Sequence, residues 1–186
     1  MNTILMIVLV SLIIVILACF GIILIHNYNN YQRCIVRISE AENNIDVLLD
    51  KVEEQLSRTI PVIKDIDSIF EDEKALVNLT KIKNKKLNNF ALDKELDSCR
   101  FALQELIDSN TILLDNENLA NIRYDIIDAV NDLTAAKKYY NDYVVKYNKL
   151  IKCFPSNIVG KVNHYKLKDF YSNEKQEMFE ILKKNQ

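Results

Sequence analysis

Residues 38–63 read ISEAENNIDVLLDKVEEQLSRTIPVI, and the spacing inside this stretch decides the fold. Ile38, Glu42, Ile45, Leu49, Val52, Leu56, Thr59 and Ile63 recur at alternating steps of four and three, and the series continues to Ile66 and Phe70. A period of about 3.5 residues marks a helix that buries one stripe against partner helices. Pro61 falls inside the pattern, where it removes a backbone donor and crowds the preceding turn. Because the stripe keeps its phase across Pro61, the spacing predicts a kink rather than an end. No Gly or Pro lies between Ile22 and Ile60, so the helix is expected to continue directly from the segment before it.

That segment is apolar from Ile4 to Ile25 except for Ser11 and Gly21, and no side chain is formally charged before Arg33. Such a run spans about 33 Å as a helix, enough to cross a hydrocarbon core of about 30 Å. A buried core helix rarely runs so far without a charge, and a cleaved signal peptide would carry a basic start that Met1-Asn2-Thr3 lacks. The expectation is an uncleaved anchor. Ile16-Leu17-Ala18-Cys19 resembles a lipidation box, but the apolar run continues through Phe20 to Ile25, so Cys19 reads as a small apolar side chain. Arg33 and Arg37 follow the span with no Lys or Arg before it, which favours an external N-terminus and a cytoplasmic body. Cys34, Cys99 and Cys153 form no metal-type spacing and are odd in number, which suits a reducing compartment.

Downstream, Leu76, Leu79, Ile82, Leu87 and Phe90 are less regular, with a break expected around Lys83 to Asn89. Leu92, Leu96, Cys99, Leu103, Leu106, Asn110 and Leu113 restore the alternating spacing. Asp115-Asn116-Glu117-Asn118 supplies turn and capping chemistry. A last seam runs through Ile126, Val130, Leu133, Lys137, Tyr140, Val144, Tyr147, Ile151 and Phe154. Lys137 is its one charge, expected to snorkel to solvent past Ala136. Phe154-Pro155-Ser156-Asn157 ends the helix. Only two Gly and two Pro in 186 residues exclude turn-rich β folds and Gly-rich phosphate loops. The chain therefore reads as all-α, with an N-terminal transmembrane helix (residues 1–27) and an elongated up-and-down antiparallel helical bundle with coiled-coil-like seams (28–160). A basic amphipathic tail (161–186) follows. A parallel multi-chain coiled coil has the same stripes.

Lys137-Lys138-Tyr139-Tyr140-Asn141, Val144, Tyr147-Asn148 and Phe154-Pro155-Ser156-Asn157-Ile158 resemble the C-terminal signature of the LemA family. Tyr28-Asn29, Glu40-Ala41 with Ile45-Asp46-Val47, and Asn116-Glu117-Asn118-Leu119 resemble its N-terminal and loop signatures. The chain departs around Asp50 and Lys51, at Pro61, which comes about one turn late, and at the Lys137-Lys138 pair. The resemblance covers roughly residues 1 to 160. It implies a bacterial protein with an N-terminal transmembrane helix, a small extracellular N-terminus and a long helical bundle, and it supplies no reaction.

Tyr140-Asn141 and Tyr147-Asn148 stack on one helix face seven residues apart. They read either as a polar groove for a ligand or partner peptide, or as seam rings with amides that fix the register of neighbouring helices; the structural reading is preferred. Asp65, Asp67, Glu71, Asp72 and Glu73 read as a solvated acidic face rather than a cation site. Lys81, Lys83, Lys85 and Lys86 read as a solvated link rather than a lipid contact. The tail, with six Lys, four acids and apolar residues from Tyr165 to Leu182, reads as short amphipathic pieces that cap the bundle or lie on the membrane. No nucleophile motif occurs, and neither His26 nor His164 has a metal-ligand spacing.

The function expected is a non-enzymatic, membrane-anchored helical scaffold or interaction module, with no catalytic, cofactor-binding or metal residue assigned. Its partners would be the bilayer through the N-terminal helix, an unidentified protein and a second copy of the chain. A net charge of −2 gives no reason to expect nucleic acid. The alternatives are a lipid-associating or membrane-shaping oligomer, and a carboxylate- or metal-dependent helical enzyme. The enzyme needs acids on the inner stripes, where only Glu42 appears.

Overall fold

The computed structural model describes residues 2–66, 74–82 and 88–171, and all the regular structure among them is helical. The elements are α1 (Asn2–Ile66), α2 (Lys74–Ile82), α3 (Asn89–Ser109), α4 (Thr111–Leu114), α5 (Glu117–Lys152) and α6 (Ser156–Val162). The protein is an all-α helical bundle with one long apolar N-terminal helix. It divides into two compact units, residues 41–138 and residues 1–40 with 139–186.

In the unit of residues 41–138, the α1 stripe is Ala41, Ile45, Leu49, Val52, Leu56, Thr59 and Ile63, all buried. Helix α1 passes through Pro61 without ending. The expected Glu42 is replaced on the stripe by Ala41, one position earlier and small enough to let helices approach. Thr59 is fully buried and satisfies its hydroxyl by donating to the Leu56 carbonyl at 2.6 Å. Lys51 pairs with Asp132 at 3.0 Å and Arg58 with Asp125 at 3.0 Å, so α1 and α5 run antiparallel here. Asp93 with Lys137 and Asp108 with Arg123 make α3 antiparallel to α5. Helix α2 packs on α3.

Asn88 caps α3 by accepting from the Ala91 amide at 2.9 Å, and Asn116 caps α5 by accepting from Leu119 at 3.0 Å. The latter is the capping chemistry expected of the 115–118 turn. The third seam does not lie on one helix. At Asn110 the backbone turns extended (φ −124°, ψ 113°), its side-chain amide donates to the Leu106 carbonyl, and Leu113 is buried from the one-turn α4 instead.

The other unit begins with the apolar part of α1. One 18-residue window there has a mean hydropathy of 3.4, none of it is covered by the other described residues, and the helix is long and apolar enough to cross a membrane. Beyond it, Tyr31, Cys34 and Ile38 are buried with Tyr140, Val144 and Tyr147 of α5. Helix α5 ends at Lys152, a cis Phe154–Pro155 bond follows, and α6 starts at Ser156. Phe154 is 76% exposed and therefore off the seam on which the spacing placed it.

Helix α6 closes with hydrogen bonds from the Tyr165 amide to the Gly160 carbonyl (2.9 Å) and from the His164 amide to Lys161 (3.2 Å). His164 takes φ 54° at the position where this terminator usually places Gly. The tail that follows is not helical over residues 165–170. Side-chain amides of α5 hold it as an extended strap, and its apolar residues Phe170 and Tyr171 are buried. Leu76, Leu87, Phe70, Asp67, Glu71, Asp72, Glu73, Lys83, Lys85, Lys86 and the tail from residue 172 lie outside the described residues or side chains.

Candidate functional site

The Tyr-Asn pairs of α5 form the most ordered polar arrangement in the unit that carries the apolar segment. Asn141 and Asn148 are 4% and 2% exposed, and a buried amide must find partners or cost free energy. Asn148 donates to the Lys168 carbonyl at 2.8 Å and accepts from the Lys168 amide at 2.9 Å. Asn141 accepts from the Tyr171 amide at 2.8 Å, and the Tyr140 hydroxyl donates to the Asp169 carbonyl at 3.1 Å.

The registers match for a geometric reason. Seven helical residues advance about 10.5 Å, and three extended residues advance about 10 Å. Two amides one heptad apart on α5 therefore meet every third residue of an extended chain running antiparallel to the helix. The amides engage main-chain groups, so the grip does not depend on the strap's side chains.

The rings complete the site. Tyr31 meets Tyr147 edge-on with centroids 5.8 Å apart and Tyr165 at 5.0 Å, while Tyr140 meets Tyr171 edge-on at 5.9 Å. The Tyr31 hydroxyl donates to the Ser156 carbonyl at 3.3 Å, and Gln32 donates to the Tyr165 hydroxyl at 2.9 Å. Burial, with the neighbouring Tyr147, Tyr165 and Cys153, pushes the Tyr31 phenol up to about 12. Burial, then Tyr165 and Cys34, raises Tyr147 also.

Gly160 lies against this cluster; a Cβ there would stand 2.7 Å from the Tyr31 hydroxyl oxygen. One of only two glycines in the chain thus sits where α6 and a buried tyrosine approach most closely. Of the two readings of the Tyr-Asn face, the geometry joins features of both. The rings fill the core as a structural seam would, and the amides hold an extended peptide that belongs to the chain itself.

A second polar feature escaped the sequence reading. Asn30, Arg33 and Cys34 of α1 with Tyr143, Lys146, Lys149 and Leu150 of α5, then Cys153 and Ser156, line a groove of about 450 Å³. Burial raises the Cys34 thiol, while the charges of Lys146 and Arg33 pull it partly back. Lys146 and Lys149 lie off the seam positions Val144, Tyr147 and Ile151. Their convergence with Arg33 becomes visible once α5 is known to run antiparallel to α1.

The remaining sequence candidates separate. His26 is exposed on α1, and His164 is an exposed turn residue. Cys34 and Cys99 are buried, Cys19 and Cys153 exposed, all as free thiols. Lys137 does not snorkel to solvent: it is bonded to Asp93, with side chains 20% and 19% exposed. Asp93, next to Leu92 at the start of the third seam, is its partner. Among the described residues, no group of three or more His, Cys, Asp or Glu side chains is arranged to hold a metal ion.

The family model described as the LemA family matches residues 41–182, most of the chain. No curated protein matches.

Proposed function

The chain belongs to the LemA family, and from that premise we propose that it is a non-enzymatic scaffold or interaction module, anchored in the cell membrane by one pass of α1 with its body in the cytoplasm. The observation that carries the reading is the continuity of α1. The uncovered apolar segment and the buried Tyr31, Cys34 and Ile38 belong to a single helix without a break. A linker of flexible residues would tether a body loosely, whereas a continuous helix fixes its orientation to the bilayer. The charge difference across the span, with Arg33 and Arg37 on one side only, supports the cytoplasmic placement.

Topology tests it. With an affinity tag after Gln186, external protease on intact cells is expected to leave the tag until the cells are opened. Cleavage on intact cells would place the body outside and overturn the orientation. A tag that washes off with carbonate-extracted peripheral proteins would overturn the anchor.

A second reading, association with lipid, is favoured by one observation. Helix α6 sits against the end of the apolar run: Ile158, Val159 and Val162 share a groove of about 280 Å³ with Leu24, Ile25 and Tyr28.

A further inference from the structure

We propose that the end of this unit nearest the apolar segment is a seat for anionic phospholipid, with the headgroup phosphate held by Arg33, Lys146 and Lys149 and with Phe154 and Val162 inserted among the lipids. The proposal rests on the reading of α1 as a membrane anchor.

Depth comes first. The apolar run stops at Ile25, and α5 descends antiparallel to α1 with Tyr147 beside Tyr31. Five further residues bring Lys152 about 7.5 Å lower, level with His26. By the same count Lys149 lies level with residue 29, about 6 Å above Ile25. The polar headgroup layer occupies about 5 to 7.5 Å on each side of the hydrocarbon core. The groove therefore opens at headgroup depth, with Arg33 at its upper edge and a side chain long enough to reach down.

Charge comes second. Three cations line the groove, and among the described residues that line it there is no carboxylate. Arg33 and Lys146 both lower the Cys34 thiol against the effect of its burial, as cations beside it would. The end of α5 would ordinarily oppose an anion with its bare carbonyls. Here the Ser156 hydroxyl can donate its one proton to the Leu150 carbonyl at 2.7 Å, while the Asn157 amide donates to the Cys153 carbonyl at 2.8 Å, so both carbonyls are engaged.

Apolar surface comes third. Phe154, between two groove residues, is 76% exposed, and Val162 at the end of α6 is 73% exposed. Lys152 and Lys161 flank them, also exposed. Outward apolar side chains interleaved with lysines, at the level where a spanning segment leaves the core, are the composition of an interfacial helix. A soluble phosphate compound would use the cations but leave Phe154 and Val162 unexplained, so the lipid is the occupant chosen.

The full chain in neutral detergent is titrated with phosphatidylglycerol or phosphatidylcholine and read by native mass spectrometry. Phosphatidylglycerol is expected to be retained about tenfold over phosphatidylcholine, and the combined Arg33→Gln, Lys146→Gln, Lys149→Gln chain to lose the preference. Equal retention of the two lipids, or a preference that survives the triple substitution, overturns the proposal. Displacement of phosphatidylglycerol by millimolar inorganic phosphate would make the groove a soluble-phosphate site. Displacement by polyglutamate would make it a protein contact. Either result overturns the lipid assignment.

Insertion is read separately. The chain has no Trp, so Phe154→Trp and, in another chain, Leu12→Trp each supply a single reporter for quenching by brominated lipids in vesicles. Both are expected to be quenched, Leu12→Trp from deep in the chains and Phe154→Trp from near the headgroups. Quenching at position 12 without quenching at 154 overturns the seat alone. No quenching at position 12 overturns the anchor reading beneath it.

Discussion

The two units solve the same packing problem with different chemistry. Residues 41–138 bury aliphatic side chains such as Ile45, Leu49, Leu56, Leu103, Ile126 and Leu133, and place ion pairs such as Lys51–Asp132 and Arg58–Asp125 on the surface. Surface pairs of that kind contribute about 0–1 kcal/mol each, so area removed from water holds this unit together. The unit containing the apolar segment buries tyrosines and asparagines instead and fixes them with hydrogen bonds to the main chain. Non-directional burial tolerates small shifts, whereas a hydrogen-bonded core is satisfied in one register only. The first design suits a body that needs bulk, and the second suits one that must hold a strap and a groove at a fixed height.

Two substitutions break that comparison from either side. Leu56→Ala removes a fully buried side chain and leaves a cavity, for an expected loss of about 2–5 kcal/mol. Hydrogen exchange on the full chain should show protection falling across residues 41–138, with the Lys168 and Tyr171 amides nearly unchanged. Asn148→Ala removes both bonds to the half-buried Lys168 main chain, for an expected loss of about 1–3 kcal/mol. Its effect should be the reverse: exchange accelerates at Lys168 and Tyr171 while the Leu103 region stays protected. If either substitution loosens both units equally, they unfold as one cooperative body and the contrast carries no energetic meaning.

Spacing made the aliphatic unit legible. Ile45, Leu49, Val52, Leu56 and Ile63 are buried where the four-and-three pattern puts them, because only one face of a long helix can repeat that way. The misplacements share a cause. Glu42, Val130 and Lys137 were assigned to seams, and in each case the alanine one residue earlier, Ala41, Ala129 or Ala136, is the buried one. An α-helix of 3.6 residues per turn drifts about 20° per heptad from a strict 3.5 repeat, so neighbouring positions compete for the seam and the small apolar one wins. Phe154 fails for a further reason: the helix has already ended at Lys152.

The strap was not legible. Its contacts run from amides on a helix to main-chain atoms twenty or more residues away, and main-chain atoms leave no trace in side-chain patterns. The heptad spacing of Asn141 and Asn148 was visible, but nothing in it says that its partner is extended chain. The cation groove was hidden likewise, since Arg33 and the Lys146–Lys149 pair are far apart in sequence and meet only through the antiparallel return of α5.

The smallest effect expected concerns the proton on Tyr31. Its phenol is wholly buried and pushed up from the ordinary 10 to about 12, so the fold favours the neutral form. A raised pKa contributes stability that is complete below the unfolded value, near pH 10, and is lost as the pH climbs toward 12. Tyr31→Phe removes this titration and leaves the raised Tyr147 in place as an internal control. At neutral pH the Phe chain should be slightly the weaker, by about 0.5–1 kcal/mol, for want of the long bond to the Ser156 carbonyl. Between pH 10 and 12 the parent should lose stability faster, so the gap in urea midpoint, followed by far-ultraviolet circular dichroism of the full chain in micelles, should close and then invert. A gap constant across that window would mean that the tyrosine cluster is hydrated in solution, and that aliphatic burial is the only packing chemistry both units share.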